Sequence, residues 1–274
     1  MNETIQHLLN HRSIRKFKTD QLDQETINIL VRSAQAASTS SYQQAYAIIG
    51  VEDDTIKQRL VEVASGQTYV AENGYFFVFC IDYHKHVLAA DLASGAVDRT
   101  VETTEALIVG AVDAGLAAQN LVVAAESLGY GTVYIGSLRN DAAKVSELLA
   151  LPDHVVPLFG VAVGVPDQEP GKKPRLPMDA VFHRNTYTND ETMRQLLTQY
   201  EEETSAYYGD RTDGRRTEGW VYQMAASMKE PKRTYLRHFL QEKHLRSGTR
   251  LASMTLNRFS QRRASRSNRT KSRS

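Results

Sequence analysis

The amino-acid sequence predicts an α/β or α+β sandwich, in which helices flank a central sheet. Strand-like and helix-like segments alternate along the chain, and no internal repeat is apparent. Three apolar runs rich in β-branched and aromatic residues fit buried strands: AYAIIGV at 45–51, YFFVFCID at 75–82 and VVPLFGVAVG at 155–164. With 274 residues, of which 41% are hydrophobic, the chain can enclose a substantial core.

The N-terminal part of the chain begins with two predicted helices. Residues 4–10 fit a short helix, and Asp23 is a suitable N-cap for a second helix, DQETINILVRSAQAA, whose apolar residues recur at helical spacing. A polar stretch, STSSYQQ, follows this helix. A charged helix near 53–64 is expected between the first two strands.

The longest predicted element is the apolar helix TTEALIVGAVDAGLAAQNLVVAAESLG, about seven turns long and ended by Gly129. A helix with so few charges must be buried on more than one face, so we expect it in the core and in part of a subunit contact. Beyond it the sequence predicts a strand at TVYIG, a helix at DAAKVSELLA, the strand at 155–164, a proline-rich loop and helices near 190–208, 218–229 and 233–243.

The distribution of charge separates the body of the chain from its C-terminal tail. From Lys243 onward there are ten Lys and Arg and no acid, which leaves 23 cations against 32 acids, or −9, on residues 1–242. An acidic body argues against nucleic acid as the main partner. The sequence therefore predicts one domain over 1–245 and a basic Ser/Arg-rich tail over 246–274. The tail is either a disordered or appended extension, or an arm that binds RNA or a membrane surface.

Cysteine content and hydropathy narrow the class of protein further. A single cysteine, Cys80, excludes a disulfide framework and a cysteine-rich metal site. The histidines have no metal-ligand spacing; His84 and His86 are expected on a strand end or a loop. No membrane-spanning apolar run or secretory leader is apparent, so we expect a cytoplasmic protein without a membrane partner.

Two cationic stretches are candidate anion sites. In HRSIRKF, His11, Arg12, Ser13 and Arg15 are clustered, and on a continuing helical turn the two guanidinium groups would share a face. In GKKPRLP, the prolines would hold Lys173 and Arg175 rigidly. The alternative for each stretch is an ordinary solvated surface.

Other polar segments offer donors but no reactive group. GYGTVYIGSLRN has the order helix, glycine, strand, so it fails the dinucleotide fingerprint. Gly136 would nevertheless let a flat ligand approach the backbone at the end of that strand. The stretch STSS and Gln67 could be caps and turns. Because no nucleophile, metal set or acid–base pair is evident, the sequence indicates that a cofactor carries the reaction.

Seven ordered blocks, taken together, resemble one known family. The blocks are HRSIRKF, AQAASTSSYQQAY, GQTYV, AAESLGYGTVYIGSLRN, LPDHVVPLFGVAVG, GKKPRLP and RTYL. Over residues 4–243 the chain resembles the flavin-dependent nitroreductases, in particular their NADPH-preferring branch of oxygen-insensitive nitroreductases and NADPH:FMN oxidoreductases. The resemblance implies an α+β fold with a central mixed β-sheet flanked by helices, a long buried core helix, and an interlocked homodimer that holds FMN at its subunit interfaces.

The resemblance also implies roles for individual residues. The residues that match FMN-binding positions are His11, Arg12, Ser13, Arg15, Thr39, Ser40, Ser41, Gln67, Tyr134, Ile135, Gly136, Ser137, Lys173 and Arg175. Within this set, Arg15 and Lys173 match cations that tune the flavin, and no protein residue is itself catalytic because flavin N5 carries the hydride. The residues expected to bind the NADPH 2′-phosphate are Arg211, Arg215 and Arg216, with Arg211 the first choice, in a segment predicted to be mobile.

The activity implied is ping-pong transfer of hydride from NADPH to free flavin, nitroaromatics, quinones or similar small acceptors, without a metal. Two alternatives stay open at this point. The same fold could sequester or process flavin, or HRSIRKF and the basic tail could form an anion- or RNA-binding module. A yellow preparation that consumes NADPH would favour the reductase.

Overall fold

The structure is a computed structural model that describes residues 1–245. Its helices are α1 Glu3–Asn10, α2 Gln24–Gln35, α3 Asp54–Val63, α4 His84–Leu92, α5 Asp98–Val101, α6 Thr104–Ser127, α7 Ala142–Leu148, α8 Asp190–Arg211, α9 Trp220–Ser227 and α10 Leu236–Glu242. Its strands are β1 Tyr46–Val51, β2 Tyr75–Asp82, β3 Gly131–Ile135 and β4 Val155–Gly164. The predicted tail at 246–274 lies outside the described residues.

The chain forms two compact units, which we call the sheet unit and the helical unit. The sheet unit comprises residues 1–8, 13–168 and 235–245, and the helical unit comprises residues 9–12 and 169–234. Helices α8 and α9 belong to the helical unit, and all four strands belong to the sheet unit. The single domain over 1–245 stays a prediction.

The sheet has the strand order β1-β2-β4-β3, and the four strands pair antiparallel. The expected mixed sheet is thus antiparallel in its named strands, and the parallel pairing seen in residues 1–245 is an isolated bridge between Ser13 and Thr132. All eight residues of β2 are buried, because helices cover both faces of the sheet. The α+β class with a helix-flanked sheet is confirmed.

Helix α6 supplies the centre of the core on one face of the sheet. Its buried residues are mostly small, among them Ala114, Ala117 and Ala118, which allow close packing against α2 and the sheet. The helix ends as predicted: Gly129 has φ +84°, its N–H donates to Glu126 O, and the Tyr130 N–H donates to Ala125 O.

Within residues 1–245, α6 is also the helix whose length and apolar composition would suffice to cross a membrane. The sequence analysis expected no segment that could span a membrane, and this was wrong, because α6 has the required length and apolar composition. Half of its most apolar window is buried inside the protein, and α6 contacts α2 and all four strands. These contacts account for its apolar character as that of a core helix.

The helical unit is built on α8. Asn189 caps this helix by accepting from the Thr192 N–H, and Tyr200, Thr204 and Tyr208 are its buried residues. Helix α9 packs against α8, where the rings of Tyr200 and Trp220 lie 5.9 Å apart. The helical unit therefore has an aromatic contact of its own.

Candidate functional site

The HRSIRKF stretch is extended rather than helical. Helix α1 ends at Asn10, and residues 13–18 run beside the sheet: the Ile14 N–H donates to Thr132 O at 2.9 Å, and the Lys18 N–H donates to Val165 O at 2.9 Å. Arg12 and Arg15 therefore do not share the helical face that their spacing suggested. Burial of Ile14 beneath the sheet edge explains the difference, because a β-carbon at Gly131 would lie only 2.6 Å from the Ile14 side chain.

The cations of this stretch belong to different units. His11 and Arg12 lie in the helical unit, while Ser13 and Arg15 lie in the sheet unit. The half-buried Arg12 donates from Nη1 to Pro170 O at 3.4 Å, and its Nη2 is 3.8 Å from Glu169 Oε1. These contacts fix the Arg12 guanidinium against the start of the proline-rich loop.

In the sheet unit, the structure brings two predicted site residues together. Ser137 Oγ donates to Gln67 Oε1 at 3.1 Å, although the two residues are 70 positions apart in sequence. Gln67 precedes a short 3-10 helix, Thr68–Val70, and Ser137 lies in another, Gly136–Asn140, that directly follows β3. A hydroxyl and a carboxamide at this edge can bind the polar edge of a flat heterocycle.

The segment Tyr134 to Ser137 presents mainly its backbone. The Ile135 side chain is buried in the core, and a β-carbon at Gly136 would meet only the Arg139 guanidinium, at 3.2 Å. Tyr134 donates from its hydroxyl to Gln119 Oε1 at 3.2 Å and packs edge-on against Phe159. Burial, reinforced by the negative charge of Glu126, raises the pKa of Tyr134. Tyr134 therefore stays protonated and able to donate at neutral pH.

The loop that contains Thr39, Ser40 and Ser41 is fastened by a residue that the sequence analysis missed. The Ser40 and Ala45 N–H groups both donate to the carboxylate of Asp113, each at 3.0 Å. Asp113 is completely buried on α6. A lone acid inside the apolar run GAVDAGL could have revealed it, because a buried carboxylate is retained only where donors satisfy it.

In the helical unit, two cations share one tyrosine. The Arg216 guanidinium lies 3.7 Å and the Lys173 ammonium 5.3 Å from the centre of the Tyr208 ring. In GKKPRLP, Arg175 donates from Nη1 to Lys173 O at 2.7 Å, so the Arg175 side chain lies against the backbone of Lys173. The grouping of Lys173 and Arg216 on a buried tyrosine gives this unit a cationic surface suited to a phosphate.

Arg211 is not in a loop: it lies in the last turn of α8, and its Nη1 donates to the Tyr207 hydroxyl at 3.0 Å. The segment after it is also tied at both ends. Thr212 Oγ1 accepts from the Arg216 N–H at 3.0 Å, and Glu201 accepts from the Gly219 and Val221 N–H groups at 2.8 and 2.7 Å. Arg215 donates from Nε to Thr212 O at 2.9 Å. The Gly214 N–H also donates to Gly209 O at 2.8 Å, so the segment forms hydrogen-bonded turns.

The histidines and the cysteine do not form a reactive centre. Residues 1–245 contain no group of three or more His, Cys, Asp or Glu that could hold a metal ion. His84 and His86 lie on α4 rather than on a strand end or loop. Burial raises the pKa of the Cys80 thiol, which keeps it protonated and unreactive.

The residues present fit a flavin mononucleotide. The helical unit carries Arg12, Lys173 and Arg175, which are donors of the kind that a phosphate requires, and the sheet unit carries the Gln67–Ser137 pair, which suits the ring edge.

Comparison with known proteins places the chain in a family. Residues 8–165 match the model "Nitroreductase family", and residues 173–247 match "Nitroreductase family, C-terminal domain". The chain is 50% identical over 244 residues to the FMN reductase (NADPH) of Bacillus subtilis, which covers 89% of this chain and 98% of that protein.

Solved structures agree with this match. The NfrA1 nitroreductase from B. subtilis superposes with a TM-score of 0.87 at 50% identity, over 88% of this chain and 98% of that one. The NADPH:FMN oxidoreductase from Vibrio harveyi complexed with NAD+ superposes with a TM-score of 0.80 at 37% identity, over 89% and 98%. These matches extend over nearly the whole of each protein, and so the chain belongs to the nitroreductase family.

Proposed function

We propose that this protein is an FMN-dependent oxidoreductase that takes hydride from NADPH and reduces free flavin, nitroaromatics, quinones or similar small acceptors in a ping-pong cycle. The observation that carries the proposal is the 50% identity, across 98% of its length, to an FMN reductase (NADPH). Bound FMN would accept hydride from NADPH and pass reducing equivalents to the acceptor, which explains why no protein nucleophile is needed.

The chain's own residues hold and orient the cofactor in this proposal. His11, Arg12, Ser13 and Arg175 bind the FMN phosphate and ribityl chain. Gln67, Ser137 and the backbone of 134–136 bind the ring. Arg15 and Lys173 place positive charge where the reduced flavin becomes anionic.

The first test is a visible absorbance spectrum of the purified protein, before and after NADPH is added under argon. Flavin bands that bleach on addition of NADPH are expected, and re-oxidation by added 1,4-benzoquinone should restore them. Steady NADPH consumption in the presence of the quinone distinguishes a reductase from a flavin-sequestering or flavin-processing relative. A protein that stays colourless after incubation with FMN would contradict the proposal.

Preference for NADPH is assigned to Arg211, Arg215 and Arg216. A cation near Tyr207 or Tyr208 can pair with the 2′-phosphate, which NADH lacks. Arg211→Ala should therefore raise the KM for NADPH and leave the KM for NADH unchanged. An unaltered ratio of the two KM values would remove Arg211 from the site.

A homodimer is also part of the proposal. Helix α6 exposes Ile108, Val112 and Leu116, which are four residues apart and are 53%, 51% and 45% exposed. Such an apolar stripe on a core helix is typical of a surface covered by a second copy. Light scattering should show a dimer for the native protein and a monomer for Val112→Glu. The matched control, Leu92→Glu, changes a leucine on α4, outside this stripe, that is 90% exposed, and this variant should stay dimeric.

A cytoplasmic location completes the proposal, as expected for an enzyme that draws on NADPH and lacks disulfides. Cell fractionation with an antibody against the protein would test it.

A further inference from the structure

The loop formed by residues 39–45, which we call the serine loop, has an unfavourable backbone. Ser41, Tyr42 and Gln44 have φ values of 48°, 59° and 54°, in the left-handed region that residues with a β-carbon rarely adopt. Three such residues within four positions do not persist unless the surroundings impose them. The structure shows what imposes them here.

The main constraint is the carboxylate of Asp113. Its Oδ1 accepts from the Ser40 N–H and its Oδ2 from the Ala45 N–H, both at 3.0 Å, so one side chain joins the two ends of the strained segment. Asp113 is 0% exposed, and a charge buried to this extent is stable only when hydrogen bonds satisfy it. The loop and the carboxylate therefore depend on each other.

Two side chains of α4 donate hydrogen bonds to backbone carbonyl groups in and next to the same loop. Lys85 Nζ donates to Gln44 O at 3.3 Å and to Tyr46 O at 2.8 Å, and His86 Nε2 donates to Gln43 O at 2.9 Å. These constraints act on backbone atoms, so they set the path of the loop without engaging the side chains of Ser41 and Tyr42. The Tyr42 ring is 83% exposed at the tip of the loop.

We propose that Asp113 is a positioning residue for the flavin site: it holds the serine loop in the one strained path in which Thr39, Ser40 and Ser41 can border bound FMN. This inference rests on the proposed function, because the loop's contact with FMN is itself part of that proposal. Asp113 touches neither cofactor nor substrate. It acts only through the backbone N–H groups of Ser40 and Ala45.

The position of Asp113 in the fold supports this role over a general structural one. Both of its hydrogen bonds go to backbone N–H groups of the serine loop, at Ser40 and at Ala45, where the loop leads into β1. Core contacts of α6 are made instead by apolar residues such as Ala117 and Leu121. Loss of the carboxylate should therefore loosen the loop before it loosens the core.

The test compares FMN-loaded native protein with Asp113→Asn and with the control Glu105→Gln, which removes an exposed acid from the first turn of the same helix. The carboxamide is isosteric, but its NH2 group would face one of the two backbone N–H donors, so one hydrogen bond is lost. Three quantities are measured: hydrogen–deuterium exchange of 39–46, the Kd for FMN, and the KM and kcat with 1,4-benzoquinone as acceptor.

In Asp113→Asn, exchange should rise at least about tenfold at whichever of the Ser40 and Ala45 amides faces the NH2 group, and the Kd for FMN should rise about tenfold or more, as loss of a charge-assisted hydrogen bond predicts. The quinone KM should rise more than kcat falls, which a merely structural defect would not produce. Exchange in β2 and β4 should stay unchanged. Glu105→Gln should match the native protein in all three measurements.

Two results would overturn the proposal. Unchanged exchange at Ser40 and Ala45 would show that Asp113 does not hold the loop, and faster exchange with unchanged FMN affinity and quinone KM would show that the loop does not serve the site. If Asp113→Asn does not fold, the native protein still decides: Ser40 and Ala45 amides that exchange as fast as that of Ser41 exclude the constraint. A native protein that binds no FMN would instead defeat the proposed function, while the exchange data would still report on Asp113.

Discussion

Tyr208 shows how a single buried aromatic side chain can organise cations at its edge. The ring is 7% exposed, and it lies beneath the Arg216 guanidinium and within reach of the Lys173 ammonium. Each cation gains roughly 0.5–2 kcal/mol from such a contact. The ring thus offsets part of the repulsion between two like charges, and both stay available to an anionic ligand.

Removal of Arg216 should therefore affect the two nicotinamide cofactors differently. We expect Arg216→Ala to raise the KM for NADPH about tenfold, because one charge-assisted contact to the 2′-phosphate is lost, and to leave the KM for NADH unchanged. Arg194→Ala, an exposed cation in the first part of α8, is the matched control. Equal changes for NADPH and NADH in Arg216→Ala would contradict a role in selectivity.

Tyr83 gives a prediction for alkaline pH. It is 2% exposed and donates to Ala106 O at 2.8 Å, and burial, with the charges of Asp113 and Glu105, raises its pKa to about 12. An unfolded tyrosine ionises near pH 10, so the unfolded chain releases this proton first. Tyr83 therefore contributes stability that is present below pH 10 and is lost as the pH rises from about 10 towards 12.

Thermal melts at pH 9, 10 and 11 would measure this effect, which is on the order of 1 kcal/mol at the highest of these values. Tyr83→Phe should be less stable than the native protein at pH 9, and the difference should shrink as the pH rises. Tyr222→Phe changes a tyrosine that is 66% exposed and serves as the control. Parallel pH profiles for all three proteins would show that Tyr83 is not responsible.

Among the elements, α6 begins at a well-defined cap. The Thr103 hydroxyl accepts from the Ala106 N–H at 3.1 Å and donates to Thr100 O at 2.7 Å, which also joins α6 to the short α5. Thr103→Ala should lower the free energy of unfolding by about 1 kcal/mol, whereas Thr103→Ser should keep most of it. Urea unfolding curves would distinguish the two variants, and equal losses would show that the hydroxyl is not the source of the effect.

Elements with a strong burial signal could be predicted, and those without one could not. Strands β1, β2 and β4, helix α6 and the Asp23 cap of α2 were predicted within a few residues, because unbroken apolar runs and a capping side chain act locally. Helix α4 was missed because its sequence, HKHVLAADL, has no apolar stripe at helical spacing. This fits its position in the structure, where none of its described residues is buried.

The candidate site depended more on long-range contacts, and its local conformations were harder to predict. Gln67 and Ser137, which the resemblance placed in one set, are joined by a hydrogen bond, and the FMN-binding role of that set stays a prediction. The helical turn at Arg12 and Arg15 was wrong, because pairing of Ser13 with Thr132 outweighs the local preference. The lone acid Asp113 stands out in its apolar run, but its partners could not be predicted, since they lie 68 and 73 positions away in sequence.

At the scale of the whole molecule, the two units are interleaved along the sequence. The sheet unit is completed by residues 235–245, which follow the helical unit in sequence. Within them, Phe239 and Leu245 pack with Ala45, Ile81 and Tyr83 in a core cluster of the sheet unit. The end of the described chain is therefore part of the core.

Two truncations would test this arrangement. A protein that ends at Leu245 should keep its flavin, its activity and its melting temperature, because the predicted tail over 246–274 is not needed. A protein that ends at Thr234 loses Phe239 and Leu245 and should melt well below the longer form, since removal of one buried phenylalanine alone costs about 3–5 kcal/mol. Loss of flavin in the protein that ends at Leu245 would show that the tail contributes to the site.

The interleaving also constrains how the protein is made. Because Phe239 and Leu245 are translated after the whole of the helical unit, a nascent chain that has already emerged from the ribosome up to β4 still lacks part of the core around Ile81 and Tyr83. That apolar surface stays open for the time needed to synthesise about 80 more residues, which is several seconds at typical rates. Chaperones that bind nascent chains would find their target at this surface, and the emergence of residues 235–245, rather than completion of the sheet, would set when the core of the sheet unit is completed.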